Sequence, residues 1–510
     1  MHTPTRLTLI AGTAVAAVTL AGCGGSSGSA NAGGEIESLT IQAPYLVTNA
    51  PQDGNEIETA VEEEIGVDLD INWAPNSSYE DRTNITLAGD DVPHVMVIQG
   101  KTPGFVKNAQ AGAFWDLTDY LGDYENLDTT FPEVQESSSV NGQVFGIFRQ
   151  RDLMRATAIV RKDWLENLGL EMPETTDDLA EVARAFTEDD PDGNGADDTY
   201  GLIIPQWPGA IGSNSPYDVI ETWFGAGNKW TELGGELVPN FTTDEWFDAV
   251  EYEKALVDGG YVNADYATFD SASWNEPFLN GEGGIIIDVH SRAQQLIGLL
   301  KESDPEGYDQ YVDVSGNLTG PDGELYAHPT DGYSGFLAIP KAQVQTEEQL
   351  RQVLEILNDM NSPEVARLMN NGIEGVTYET NDEGLAVAID DAPTQLKDDV
   401  MSFAQLGTNV TGFQGLRPAQ PTEYEQEMYD KRLAIEEADT EFAVFNEAAA
   451  FVSPTYVSKG AQLDVIVSDA RLKYIAGQIS REELESEIAR WRAEGGDDVI
   501  AEINDLAGDQ

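Results

Sequence analysis

The chain has 510 residues, more than one hydrophobic core usually supports, and carries 92 acidic against 27 basic residues for a formal net charge of -65. So negative a chain argues against nucleic acid and anionic lipid as partners, because like charges repel at long range. Its single cysteine leaves no internal disulfide and no cysteine-ligated metal site.

After Arg6, the run from Leu7 to Leu20 is apolar but too short to cross a bilayer, and it ends in Leu20-Ala-Gly-Cys23. These residues resemble a lipobox. Residues 1–22 therefore read as a lipoprotein signal peptide and Cys23 as the lipidated start of the mature chain; an ordinary secretory signal with an incidental cysteine is the alternative. Residues 23–38, rich in Gly, Ser and Ala, read as a flexible tether. No later segment approaches about 18 consecutive apolar residues. A lipid anchor on the extracytoplasmic side of the cell membrane is thus the only membrane attachment expected.

From Leu39 the pattern LTIQAPYL predicts a strand, followed by a helix over 56–65, a strand over 67–73, a helix continuing over 82–87 and an apolar strand over 94–98. Strands alternating with helices imply a largely parallel sheet that gathers ligands at the carboxyl ends of its strands. Tyr45, Gln99 and Gly100 stand at such ends, where a loop or core role fits equally well. Further on, Arg149, Arg151, Arg155, Arg161 and Lys162 place five of the 27 basic residues within 14 positions. Guanidinium forks suit carboxylates, sulfates and hydroxyls. One reading is a patch that receives an acidic ligand; the other is internal pairing with the abundant acids.

The stretch from Ala158 to Leu202 holds the most specific signals. A strand end at Ala158–Val160 precedes a short helix carrying Trp164, Leu165 and Leu168, stopped at Gly169. Thr175 is a candidate N-cap with Asp178 three residues on, and Leu179, Val182, Ala183 and Phe186 share one helical face. Then comes Asp190-Pro-Asp192-Gly-Asn194-Gly195-Ala196-Asp197-Asp198, the alternating oxygen spacing of a calcium loop. Asp190, Asp192, Asn194, the Ala196 carbonyl and Asp198 are the candidate ligands, with Gly195 making the turn. At the twelfth position the expected Glu is replaced by Gly201. A solvated acidic turn is the alternative.

Leu202–Trp207 predicts a strand ending in a loop, and Trp207, Tyr217, Trp223, Trp230 and Trp274 concentrate in this half of the chain. Trp223 and Trp246 have core-like spacing, whereas Trp207 and Trp274 stand near Pro and Asn in loop-like contexts. Gly281–Asp288 predicts a buried strand, with Asp288, His290 and Arg292 at its carboxyl end. A strand over 331–340 contains Tyr333, and helices follow over 347–360, 363–369 and 480–494, the last with a Ser480/Glu483 capping box and a stop at Gly495.

Several of these pieces, in this order, resemble the extracellular solute-binding proteins of ABC importers, in the oligosaccharide-binding branch that includes the alginate-binding proteins. They are Trp164-Leu-Glu-Asn-Leu-Gly-Leu170 with Pro173-Glu-Thr175, the DPDGNG loop, Trp223–Trp230, the Gly281–Asp288 strand, Gly372-Ile-Glu374-Gly375 and Arg490–Asp497. The resemblance covers nearly all of the mature chain. It implies a two-lobe α/β fold of the periplasmic-binding-protein type (class II), each lobe a mostly parallel sheet flanked by helices, with three hinge crossovers. It places the crossovers at 142–159, after Asp288, and at Glu374 and Tyr378. Residues 39–149 with 290–375 would form the N-terminal lobe and 150–289 with 376–510 the C-terminal lobe.

It further implies a monomer that captures an oligosaccharide by hinge closure and delivers it to permease subunits driven by a cytoplasmic ATPase, with structural Ca2+ in the loop. Thr199 departs from relatives that carry a further acid there. The expected sugar contacts are Tyr45, Gln99, Arg149, Arg151, Trp207, Trp274, Asp288, His290, Arg292, Tyr333 and Glu374, the arginines leaning toward an acidic sugar. No catalytic residue is expected: GxSxG, HExxH, GxxxxGK and a strand-bound GxGxxG are all missing. The competing readings are a secreted carbohydrate-active hydrolase, since two carboxylates suffice, and a glycan-binding adhesin.

Overall fold

The strands, in chain order, are β1 (Ser38–Tyr45), β2 (Asp68–Pro75), β3 (Val95–Ile98), β4 (Ile147–Gln150), β5 (Ala156–Arg161), β6 (Tyr200–Leu202), β7 (Trp230–Leu233), β8 (Glu236–Pro239), β9 (Gly283–Val289), β10 (Val312–Ser315), β11 (Tyr333–Ala338), β12 (Tyr378–Thr380) and β13 (Ala386–Ala388). The computed structural model describes residues 36–89, 91–207 and 211–508. The expected signal segment, Cys23 and most of the tether lie outside the described residues. No helix among the described residues is long and apolar enough to cross a membrane.

The first sheet has the order β2-β1-β3-β11-β4. The helix Glu56–Ile65 connects β1 to its parallel neighbour β2. It begins where the Asn55 side chain accepts from the backbone N–H of Ile57 and Glu58, and ends at Gly66 with φ 71°. β3 and β4 are buried throughout, as suits strands covered by helices on both faces. One core spans Leu39 to Phe148, Phe336 to Met369 and Leu396 to Val410.

The second sheet, β10-β5-β9-β6, lies over two further cores built mainly from residues between Ala156 and Leu318 and from Ala448 to Ile503. Trp164 and Phe186 meet edge to face at 5.2 Å with both side chains fully buried. The rings can lie against β9 because residue 284 is glycine: a Cβ there would stand 2.2 Å from the Phe186 ring.

Both sheets are mixed rather than mostly parallel. β11 is antiparallel to β3 and β4, and β5 is antiparallel to β9 and β10, leaving β1–β2, β1–β3 and β6–β9 as parallel pairs. The reason is that β11 and β5 enter their sheets from the opposite lobe, not through a local helical connection. Two expected crossovers also move. The chain leaves the first lobe at 151–155 as expected, but His290 opens a helix, His290–Ser303, that packs back into the second lobe. The return runs through 316–332, between β10 and β11, and the last crossing lies between Val410 and Tyr424. Residues 290–315 therefore belong with the second lobe and Leu396–Val410 with the first, against the boundaries expected from sequence. Glu374 and Tyr378 sit at the β12–β13 hairpin and mark no crossing.

Candidate ligand cleft

The carboxyl ends of β1, β2 and β3 face one edge of the first sheet, and those of β6 and β9 end the parallel pair of the second. The first two crossovers pair as a short ribbon: Arg151 N–H donates to the Gly332 carbonyl at 2.9 Å and Thr330 N–H to the Leu153 carbonyl at 2.8 Å. A cavity of about 650 Å³ reaches from the first lobe, at Lys101, Pro103 and Val106, to Lys229, Trp230 and Phe241 of the second. The rest of its wall comes from the segment Asn446–Ser453, from the start of the helix Pro454–Ile475 at Tyr456 to Val467, and from Trp491, Val499 and Ile503 near the C-terminus. The first of these segments follows the second lobe's helices but docks on the first lobe, where Asn141, at φ 52°, donates its N–H to the Ala450 carbonyl and accepts from Val452 N–H.

Lys101 was not singled out by sequence, although a cation three residues beyond the apolar strand 95–98 is the signal that would have found it. Its ammonium donates to the carbonyls of Ser137, Ser139 and Ala449. Burial pushes its pKa down to about 8. Lys229 pairs with Asp331 at 3.4 Å across this region; neither was expected.

The residues expected to touch ligand divide into groups. Gln99 is exposed and donates to Asn76 at 2.6 Å; Tyr45 and Arg151 also reach solvent at the lobe edges. Tyr333 packs on Phe336 with ring centroids 5.2 Å apart. Trp207 is half-buried, with its N–H on Ser213, and packs edge to face on Trp274 at 5.9 Å. Trp274 is 1 % exposed and donates to the Ile203 carbonyl, so it has no free face for a sugar ring. Above it, Arg292 stacks at 4.1 Å, pairs with Asp288 and donates to Asn275 at 2.6 Å. Arg149 is also a correction: it is 5 % exposed, donating to the Ser334 carbonyl at 2.9 Å and to Gln405, and burial lowers its pKa to about 10. Glu374 is exposed and accepts from Thr380, away from these groups.

His290 is 7 % exposed and lies between Arg432 and Glu436, 2.6 Å and 3.0 Å away. Burial, reinforced by the Arg432 charge, lowers its pKa to about 3, so the ring is neutral. Asp152, His290 and Glu436 bring metal-type atoms within 4.8 Å of one another. Arg432 occupies their midst, 3.4 Å from Asp152 and 3.2 Å from Glu436, and supplies the positive charge itself.

The loop after the helix Thr176–Glu188 has the form its spacing predicts. The Thr175/Asp178 capping box starts the helix, and Asp190, at φ 47°, turns the chain out of it. Gly195 N–H donates to both Asp190 oxygens at 3.1 and 3.2 Å. The Asn194 amide donates to Asp192 at 2.7 Å and to Asp198 at 3.2 Å, so acceptor oxygens from two carboxylates converge on one donor. That hard-oxygen set fits calcium. The structure also explains Gly201: a Cβ there would stand 2.6 Å from both the Cα and the carbonyl oxygen of Ala183, so β6 approaches the helix too closely for any acid. Thr199 instead turns inward and donates to the Phe186 carbonyl at 2.8 Å.

The profile of the family described as Bacterial extracellular solute-binding protein matches residues 50–367 of this chain. The chain belongs to that family. Lipoprotein LipO of Bacillus subtilis (strain 168) is 42 % identical over 492 residues, covering 96 % of each chain. The Polygalacturonan/rhamnogalacturonan-binding protein YtcQ of the same organism is 31 % identical over 494 residues, covering 95 % of each. Among solved structures, an extracellular solute-binding protein from Bifidobacterium longum subsp. infantis aligns with a TM-score of 0.70 at 17 % identity, covering 92 % of this chain and 97 % of that one. The alginate-binding protein AlgQ2 without calcium ion aligns at 0.62 and 16 % identity, covering 92 % and 98 %. The two-lobe fold of this solute-binding protein is thereby shared with both.

Proposed function

We propose that this solute-binding protein is an extracytoplasmic, lipid-anchored receptor that captures an oligosaccharide between its lobes and passes it unchanged to an ABC permease with its cytoplasmic ATPase. The observation that carries the reading is the pair of independent cores joined by three crossovers beside a cavity of about 650 Å³ that both lobes line. Cavities of this size hold small-molecule ligands. The saccharide class rests on the relative at 31 % identity, which is named for two pectic polysaccharides. The anchor rests on the Cys23 motif and on the relative named as a lipoprotein.

In this reading the crossover ribbon at 151–155 and 330–332 bends, the open form admits the sugar and contacts from both lobes favour the closed form. Lys229 lines the cavity, whereas Tyr45, Gln99, Arg151, Trp207 and Tyr333 lie outside its wall and would meet a ligand only beyond it. Calcium in the 190–198 loop orders a surface of the second lobe; it supplies no chemistry to the ligand, which keeps every bond. The receptor works as a monomer.

The test is a thermal-shift screen of the protein against neutral and uronic oligosaccharides, with the sugar analysed afterwards. Stabilisation that grows with concentration, the sugar recovered intact and the particle contracting in solution scattering are the expected results. Cleaved sugar would make the cleft an active site, and unchanged dimensions at saturation would remove the hinge.

A further inference from the structure

Arginines in so acidic a protein have no shortage of partners. Arg161, Arg184, Arg292, Arg351, Arg432, Arg471, Arg481, Arg490 and Arg492 all sit in ion pairs. On the first crossover the pattern inverts. Arg151 is exposed and makes no ion pair among the described residues; Arg155, half-buried, reaches only the Ser291 hydroxyl at 3.3 Å. Arg149, behind them, is held by a carbonyl and an amide. Arg82 and Arg417 also lack ion pairs among the described residues, but each stands alone, whereas Arg151 and Arg155 stand four residues apart on one crossover. Two like charges held close together cost free energy unless something neutralises them.

The neighbouring acids do so only from a distance: Asp152 attracts Arg151 and Glu436 attracts Arg155 without forming an ion pair with either. Asp152 and Glu436 are both engaged by Arg432, and Asp288 by Arg292. The adjoining helix His290–Ser303 adds to the positive field: its N-cap is Val289, which brings no capping side chain, and its first turn holds no acid. The Arg155 carbonyl accepts His290 N–H at 2.9 Å, which fixes the arginine beside that helix start.

We propose that Arg151 and Arg155 form a subsite for an anionic group on the saccharide, a uronic carboxylate or a sulfate ester. Two guanidinium forks on the ribbon between the lobes would bind such a group directly, and their mutual repulsion, present in the empty protein, would be relieved on binding. This rests on the saccharide-receptor reading and specifies which saccharides the cleft selects.

The experiment is calorimetric titration of the protein with galacturonate and mannuronate trimers, the methyl ester of each, an O-sulfated trimer and a neutral trimer. At least one anionic trimer should bind about tenfold or more tighter than its neutral counterpart, with a preference that shrinks as salt rises. R151Q/R155Q should erase that preference, bringing the affinity of the anionic trimer down to that of its neutral or ester counterpart in the same variant while the protein stays folded; the single variants R151Q and R155Q, each losing part of the preference, serve if the double variant does not fold. Equal affinity for acid and ester, or an unaltered preference in folded variants, overturns the subsite while the saccharide reading stands. No saccharide binding at all overturns both.

Discussion

Arg471 and Arg155 belong to the same lobe and meet opposite surroundings. Arg471 is fully enclosed, donating to Asp218 at 3.0 Å and Glu221 at 2.7 Å, with a third acid, Glu253, buried beside them. Arg155 makes no ion pair among the described residues. The calcium-type loop completes the series, with converging acids and no basic side chain among them. Where the chain surrounds a cation with acids, the cation holds the fold; where it withholds acids, or withholds the cation, the missing charge is what the proposed anionic subsite and the proposed calcium site would supply.

The sharpest break of that comparison is Arg471→Ala. It would leave Asp218 and Glu221 buried without their counter-charge, and stability should fall by about 3–5 kcal/mol, read from urea denaturation. Full stability would mean that the acids simply take up protons. Next, Asp190→Ala with Asp192→Ala should abolish the melting difference between calcium and chelator. For the intact loop that difference should be about 2.7 kcal/mol at a hundredfold excess over Kd; identical melts for the intact protein would leave only a solvated turn. Gly201→Ala, which drives a methyl into the Ala183 backbone, should cost about 1–3 kcal/mol whether or not calcium is present.

A subtler test uses pH. Burial pushes the Glu221 carboxyl up to about 7, and burial with the neighbouring Glu221 charge raises Glu253 well above its usual range. Both folded-state values exceed the unfolded one, so folding takes up protons. Their contribution is complete at acid pH, below the unfolded carboxylate range, and is lost as pH rises through about 7. Melting temperatures should therefore fall between pH 5 and pH 8 by less in Glu253→Gln than in the natural protein. An identical fall in both would exclude Glu253 as a proton site. Smallest of all, the stability of R155Q should stay within about 0.5 kcal/mol of the natural protein, as for a side chain that holds nothing in place.

Much of the fold was legible because its signals are local. The helix over 56–65 has the predicted bounds, and the Thr175/Asp178 and Ser480/Glu483 boxes each open a helix. The two later crossovers were not, since a crossing has no signature of its own. Whether Val312 or Leu396 joins one core or the other depends on partners more than a hundred residues away. The candidate site divides the same way. The convergence of the loop's side-chain oxygens follows from spacing, whereas the burial of Trp274 depends on the Ile203 carbonyl, and Lys101 on carbonyls at Ser137, Ser139 and Ala449. Sequence left the arginine cluster open between ligand and internal pairing. The structure divides it by residue: Arg161 pairs with Asp163 and Arg149 is buried, while Arg151 and Arg155 make no ion pair among the described residues.

The contact between β6 and the helix Thr176–Glu188 also limits how this protein can evolve. Glutamate at position 201 is the most direct route to a tighter loop, yet the Ala183 backbone stands within 2.6 Å of where its Cβ would have to be. Any lineage selected for stronger calcium retention must change another position. Asp197 is exposed and already acidic, whereas Thr199 is turned inward onto the Phe186 carbonyl. For calcium held as proposed, the strand that positions the lobe's sheet thus closes the shortest path to higher affinity and leaves retention to be tuned from the rim.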